Sequence, residues 1–473
     1  MAEQKEMKMA GHKLVEIGWP DFGAEETPPQ ITLAEYEARL RKTRELMARR
    51  KYTHLVVYGD REHFANIQYL TGFDPRFEEA LFIVPLDAKP FLVVGNECEG
   101  YLGVNPLWSA GKISHARYST FSLLSQPGRG ERKLKEILAS GGIGKKSRVG
   151  CAGWKYFDDS EMPDAAHALE IPSFIAGALC LLAGDKNVFN AADLFMHPQY
   201  GMRSNVSAAE IAYFEYSNIR ASEAMKKMLF ALVDGVTDYD LVKKAEYAGE
   251  PLNCHITLVS EKNKNTGLSG PVGARIRRGS PFASNIGYWG SNTCRAGWVA
   301  SGPKDLPSRA RDYVRNFAGP YFEALAGWFG MLRIGVEGGR IHKYIMDTLP
   351  PKKFGIFLNP GHLIHMDEWT SSPIYKSSRV KIASGMVMQS DVIPSSRVYF
   401  STRMEDGYAV ADSALRAKLK KQFPKCFRRI AARRKFMERT LGIPLPEEVL
   451  PLSNICGIAP PYMLRPEVVI TAR

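Results

Sequence analysis

No stretch of the sequence approaches the ~20 uninterrupted apolar residues that a membrane helix needs, so neither a spanning helix nor a membrane partner is expected. Cysteine is sparse. Cys98, Cys151, Cys180, Cys254, Cys294, Cys426 and Cys456 are scattered, odd in number and form no Cys-x-x-Cys pair. That pattern argues against a disulfide framework or a zinc cluster, and reduced, mostly buried thiols are expected. There is no short-period repeat, no low-complexity segment and no nucleic-acid-binding motif. The opening Met-Ala-Glu-Gln-Lys-Glu mixes both charge signs with no apolar core after it, which does not read as a secretory signal and points to a cytoplasmic location. Most telling, no Asp or Glu occurs between Glu261 and Asp305.

What is present is ordinary for a water-soluble chain of two or three domains: 473 residues, 45% hydrophobic and 24% charged. The formal charge is +13, and its densest block runs from Arg416 to Arg439. Leu419, Phe423, Phe427, Ile430 and Met437 are interleaved there at near-helical spacing, so the block reads as one amphipathic helix with a solvated basic face. Nucleic acid is not an expected partner.

Residues 1–30 are polar, contain Pro20, Pro28 and Pro29, and read as an arm. Thr32 is placed to cap a helix over 33–50, and strand-like runs follow at 53–58, 80–84, 90–94 and 148–152. Helical segments at 131–139 and 172–182 lie between or after them, so residues 31–203 are expected to form an α/β domain. Ser207 with Glu210 forms a capping box that opens a long helix through Val233. Short strands and glycine turns then fill the chain to about 415, and residues 416–473 read as the basic helix plus a Pro-rich tail wrapping the surface.

Six phrases, in this order, carry a resemblance to one family: Asn66-Ile67-Gln68-Tyr69-Leu70-Thr71-Gly72-Phe73, Gly235-Val236-Thr237, Arg333-Ile334-Gly335-Val336, Asn359-Pro360-Gly361-His362, Gly385-Met386-Val387-Met388-Gln389-Ser390-Asp391-Val392-Ile393-Pro394 and Met404-Glu405-Asp406-Gly407. In register they resemble the creatinase/aminopeptidase P/prolidase family. The resemblance implies an α/β amino-terminal creatinase-like domain followed by an α+β pita-bread domain over 204–415. It also implies, in the family's peptidases, two divalent metals held by two Asp, one His and two Glu on a concave sheet, with a bridging hydroxide as nucleophile. Here Asn285 and Asn292 fall nearest the two Asp positions, and neutral amides cannot balance a second dication.

The resemblance therefore implies no dinuclear cofactor, with a single weakly bound divalent metal on His362, Asp391 and Glu405 as the alternative. The expected activity is creatinase-like hydrolysis of a small-molecule substrate with a polar C–N bond. One rival is an Xaa-Pro-type metallopeptidase with a reduced metal site. The other is a non-catalytic pita-bread module that binds peptides or proteins, as some chromatin- and ribosome-associated relatives do.

His362, Asp391 and Glu405 are the expected catalytic groups, with a carboxylate taking water's proton and His362 protonating the leaving nitrogen. Asn285 and Asn292 are expected to donate to an oxyanion, and Arg295 to fork onto a substrate carboxylate or Asp391, or to pair structurally within the protein. His365 joins His362, Asp367 and Glu368 in a compact run with the ingredients of proton transfer. Ser269 stands near the position of the family's early catalytic His, while His255 reads as a core residue. Arg76 follows the corner from which creatinase reaches into a partner's site, so it is expected to contact substrate across a homodimer or to pair with Glu78 or Glu79.

Overall fold

The structure, a computed structural model, describes residues 11–260 and 267–472. The opening residues read above as lacking a secretory signal lie outside the described residues. The chain forms two compact units, one of Ile31–Arg203 and one of Ser204 onward joined by the segment up to Gln30. That early segment is more than an arm, because β1 (Lys13–Glu16) pairs antiparallel with the last strand, β16 (Val468–Thr471).

In the first unit, helix α1 (Leu33–Arg50) starts where Thr32 accepts a hydrogen bond from the Glu35 N–H, and it ends at Lys51 in the left-handed region. A sheet of six strands follows: β2 (His54–Gly59), β3 (Ala80–Pro85), β4 (Phe91–Val94), β5 (Ser114–Arg117), β6 (Val149–Ala152) and β7 (Val188–Asn190). Their order is β5-β4-β3-β2-β6-β7, with the β2–β6, β6–β7 and β4–β5 pairs parallel. Strands β2, β3, β4 and β6 are buried throughout, which is why they read as continuous apolar runs rather than alternating ones.

The second unit is built twice over. Helix α2 (Ala208–Ala231), opened by the Ser207–Glu210 capping box, is followed by Gly235 at φ 87°, whose N–H donates to Ile276 O at 2.8 Å. Helix α3 (Gly319–Met331) is followed by Gly335 at φ 89°, whose N–H donates to Ile382 O at 2.8 Å. Only glycine adopts this left-handed backbone without penalty, so both turns are written in the sequence. Each half contributes one antiparallel four-stranded sheet. The first has the order β13-β10-β9-β8, with β8 (Thr257–Val259), β9 (Pro281–Ile286), β10 (Thr293–Trp298) and β13 (Arg403–Glu405). The second has the order β11-β12-β14-β15, with β11 (His362–Leu363), β12 (Val387–Gln389), β14 (Gly407–Val410) and β15 (Val449–Pro451). The chain passes from one sheet to the other at Asp406.

Two expectations for the carboxyl-terminal region need correction. The basic block is two helices, α4 (Ser413–Gln422) and α5 (Pro424–Phe436), because Pro424 has no N–H with which to continue the first. The Pro-rich tail does not wrap the surface. Leu452, Ile458 and Met463 are fully buried and β15 completes a sheet, so this segment is part of the core.

Candidate functional site

Register brings the site together. Across the first sheet, Thr257, Asn285, Cys294 and Glu405 stand directly opposite one another, so Asn285, Cys294 and Glu405 share one face. Across the second, His362 stands opposite Gln389. Gly361 precedes His362 at φ 106°, and a methyl group there would meet Trp328 Cζ2 at 2.8 Å, so only glycine lets β11 approach this closely. His362 is fully buried, stacked on Trp369 at 4.1 Å, with Nδ1 3.1 Å from Leu363 O. Its Nε2 lies 3.4 Å from Glu368 Oε1 and 3.9 Å from Asp391 Oδ2. Asn292 Nδ2 donates to Glu405 Oε1 at 2.8 Å and to Glu368 Oε1 at 3.3 Å. One imidazole and three carboxyls thus form one cluster.

Their protonation states are pushed apart. Burial, reinforced by the charges of Asp391 and Glu368, holds the Glu405 carboxyl well above the usual range. Burial also raises Asp391, against the pull of His362. Glu368 is driven up by burial, but His362 outweighs that and leaves it below its ordinary value. His362 is driven down by burial, yet Glu368 and Asp391 outweigh that and raise it. These shifts favour a charged His362–Glu368 pair and a protonated Glu405.

Several expected site residues serve other purposes. Arg295 points to the opposite face and spends all five N–H groups inside the protein. They go to the carbonyls of Ile458, Cys294, Glu405 and Ile455 and to Asp406 Oδ2 at 2.8 Å. It binds no substrate; it staples Asp406 at the crossover between sheets. Arg295→Met should therefore cost about 3–5 kcal/mol by leaving Asp406 buried and unpaired, measured by denaturant unfolding.

His365 is also outside the cluster's bonding, with Nε2 3.1 Å from Glu210 Oε1 and its ring edge-on to Phe214. Asn292 and Asn285 turn N–H groups to partners within the protein. Asn292 donates to the two carboxyls and Asn285 Nδ2 contacts Cys254 Sγ at 3.5 Å, leaving their Oδ1 atoms as buried acceptors without a partner among the described residues. His255 is exposed rather than a core residue, with Nε2 2.8 Å from Leu268 O. Arg76 belongs to the other unit. It pairs with Asp74 at 3.4 Å and donates to Tyr101 Oη, while Glu78 and Glu79 accept from Cys98 N and Tyr58 Oη.

Glu368, Arg403 and Trp369 were not singled out individually from the sequence. Glu368 reaches His362 because a bridge between Leu363 and Ser371 folds the intervening loop back. Arg403 lies on the same face as Glu405, two residues earlier on β13, and its buried Nε has no hydrogen-bond partner among the described residues.

Two divalent ions do not fit these residues, because Asn285 and Asn292 bring no charge and Asn292 N–H groups already engage the carboxyls. A single ion would have His362, Glu368 and Glu405, whose ligand atoms lie within 4.8 Å of one another. This trio replaces the expected His362, Asp391 and Glu405.

No family model and no curated protein matches the sequence. Solved structures do. Dipeptidase PepE from Mycobacterium ulcerans is similar at 15% identity and TM-score 0.59, over 81% of this chain and 95% of that one. The prolidase from Pyrococcus horikoshii OT3 is similar at 14% identity and TM-score 0.60, over 79% and 95%. The N-terminal domain of FACT complex subunit SPT16 from Cicer arietinum (chickpea) is similar at 12% identity and TM-score 0.59, over 81% and 95%. The chain therefore has the two-domain pita-bread fold of prolidases and Xaa-Pro peptidases, as the resemblance in its sequence implies.

Proposed function

We propose that this protein is a hydrolase of a small amide or amidine that works without a pair of metal ions. The observation that carries this reading is the cluster of buried His362, Asp391 and Glu405 with half-buried Glu368, whose protonation states are pushed apart. Asp391 Oδ1, without a hydrogen-bond partner among the described residues, takes the proton of the attacking water, whose oxygen bonds to the substrate carbon. Glu405, kept neutral, donates a hydrogen bond to the charge developing on the oxygen or nitrogen at that carbon. His362, held charged by Glu368, protonates the leaving nitrogen as the C–N bond breaks. The proton on Asp391 then returns to His362 across the 3.9 Å between them. The acceptors Asn285 Oδ1 and Asn292 Oδ1 suit the N–H groups of an amide or amidine.

The test is depletion from a metabolite mixture by purified protein, read by mass spectrometry together with amine release. A compound with a C–N bond should disappear, and Asp391→Asn should slow its loss by about 100-fold or more. Depletion at the parental rate by Asp391→Asn would remove this mechanism.

The grouping of His362, Glu368 and Glu405 favours a second reading, a hydrolase that holds one divalent ion there and polarises the same bond. In either case the working unit is taken to be a homodimer located in the cytoplasm. Light scattering should then give twice the 52.8 kDa chain mass, and a monomer at micromolar concentration would remove any role for Arg76 in a partner's site.

A further inference from the structure

The helices α4 and α5 carry a surface that the hydrolase reading does not use. Lys418, Lys420, Lys421, Lys425, Arg428, Lys435 and Arg439 are all exposed, and none forms an ion pair or hydrogen bond among the described residues. Other basic residues in the same stretch are engaged. Arg429 and Arg433 are buried on Glu215, Arg416 meets Glu447 and Arg434 meets Glu438. Fold stability thus accounts for one set of cations and leaves the other free.

Two of the free set, Lys435 and Arg439, line a groove of about 390 Å³ along α5. Phe427, Ile430 and Leu450 line it as apolar side chains, and Arg434, Lys435 and Arg439 line it as cations. Ala431, exposed in the middle, leaves the groove open. Arg428, Ala431, Lys435 and Arg439 follow one another at spacings of three and four residues, the period of one helix face.

We infer that this face docks an acidic peptide segment that carries a bulky apolar side chain, the apolar group entering the groove and the carboxylates meeting the free cations. Charge complementarity selects an acidic partner, and the apolar lining selects a peptide over a nucleic acid. Glu438 and Glu447 also line the groove, each paired with an arginine, Arg434 and Arg416. One further feature disfavours a nucleic acid. Among the described residues, no large aromatic side chain after Val398 is exposed to stack on bases.

Fluorescence anisotropy with a labelled synthetic peptide of Glu pairs separated by single Phe residues tests the inference on the full chain. Binding should be saturable, should weaken steeply as salt rises, and should be ~10-fold tighter than that of a peptide with Ala in place of Phe. Lys435→Glu with Arg439→Glu should weaken it by ~10-fold or more. Ala431→Trp, which fills the groove, should reduce the Phe peptide to the affinity of the Ala peptide. All three positions are exposed, so unchanged melting curves should accompany these losses. No binding above that of a Lys-for-Glu peptide, binding unaffected by these variants, or tighter binding of duplex DNA or poly(U) through the same residues would overturn it.

Discussion

His362→Gln and Glu368→Gln are each expected to lower turnover by about 100- to 10,000-fold, the usual effect of removing a general acid or the group that keeps it charged. The two should differ in how they respond to pH. In the parental protein, activity should fall on the acid side as Asp391, the base, takes a proton, above its ordinary value because burial raises it. It should fall on the basic side as His362 loses its proton, above the ordinary imidazole range because Glu368 and Asp391 raise it. Glu368→Gln removes the carboxylate nearest the imidazole, so the remaining activity should lose its basic limb at lower pH. His362→Gln removes the imidazole, so the basic limb should vanish. A basic limb that stays in place in both variants would assign it to a group outside the cluster.

Asn285→Asp combined with Asn292→Asp should produce the second large effect. Asn292 now donates hydrogen bonds to Glu405 and Glu368, which lets three carboxyls share one buried site. An Asp there converts a donor into a fourth carboxyl, and Asn285→Asp adds a fifth; breaking a buried polar network of this kind costs about 3–5 kcal/mol. The same change restores the acid positions that the family resemblance associates with metal. The double variant should therefore melt lower than the parent in chelator and recover when manganese is added, since an ion bound only by the folded state stabilises it. Calorimetry with and without manganese reads both effects. A double variant as stable as the parent in chelator would mean that Asn292 does not hold the carboxyls together.

Local chemistry made much of this fold readable in advance. Thr32 and the Ser207–Glu210 pair mark helix starts, because a side-chain oxygen there meets backbone N–H groups that have no partner within the helix. Gly235 and Gly335 mark turns that only glycine takes easily. The catalytic candidates His362, Asp391 and Glu405 also follow from short phrases, and the structure brings them close together.

What the sequence hid depends on contacts between distant residues. His365 looks like His362 in sequence, yet it meets Glu210, 155 residues away. Arg295 resembles a ligand-binding arginine until its carbonyl partners at 455 and 458 are seen. Glu368 sits six residues past His362 in a loop rather than on a continuous strand, and the Leu363–Ser371 bridge turns it inward. The break between α4 and α5 was legible in Pro424 itself, whose missing N–H overrides an otherwise continuous amphipathic pattern.

The most direct measurement is the divalent metal content of purified protein after dialysis, determined by elemental analysis against chain concentration. With amides at 285 and 292 in place of acids, at most one ion per chain is predicted, and chelation should leave the fold intact. Two tightly bound ions per chain, with turnover abolished on their removal, would contradict it.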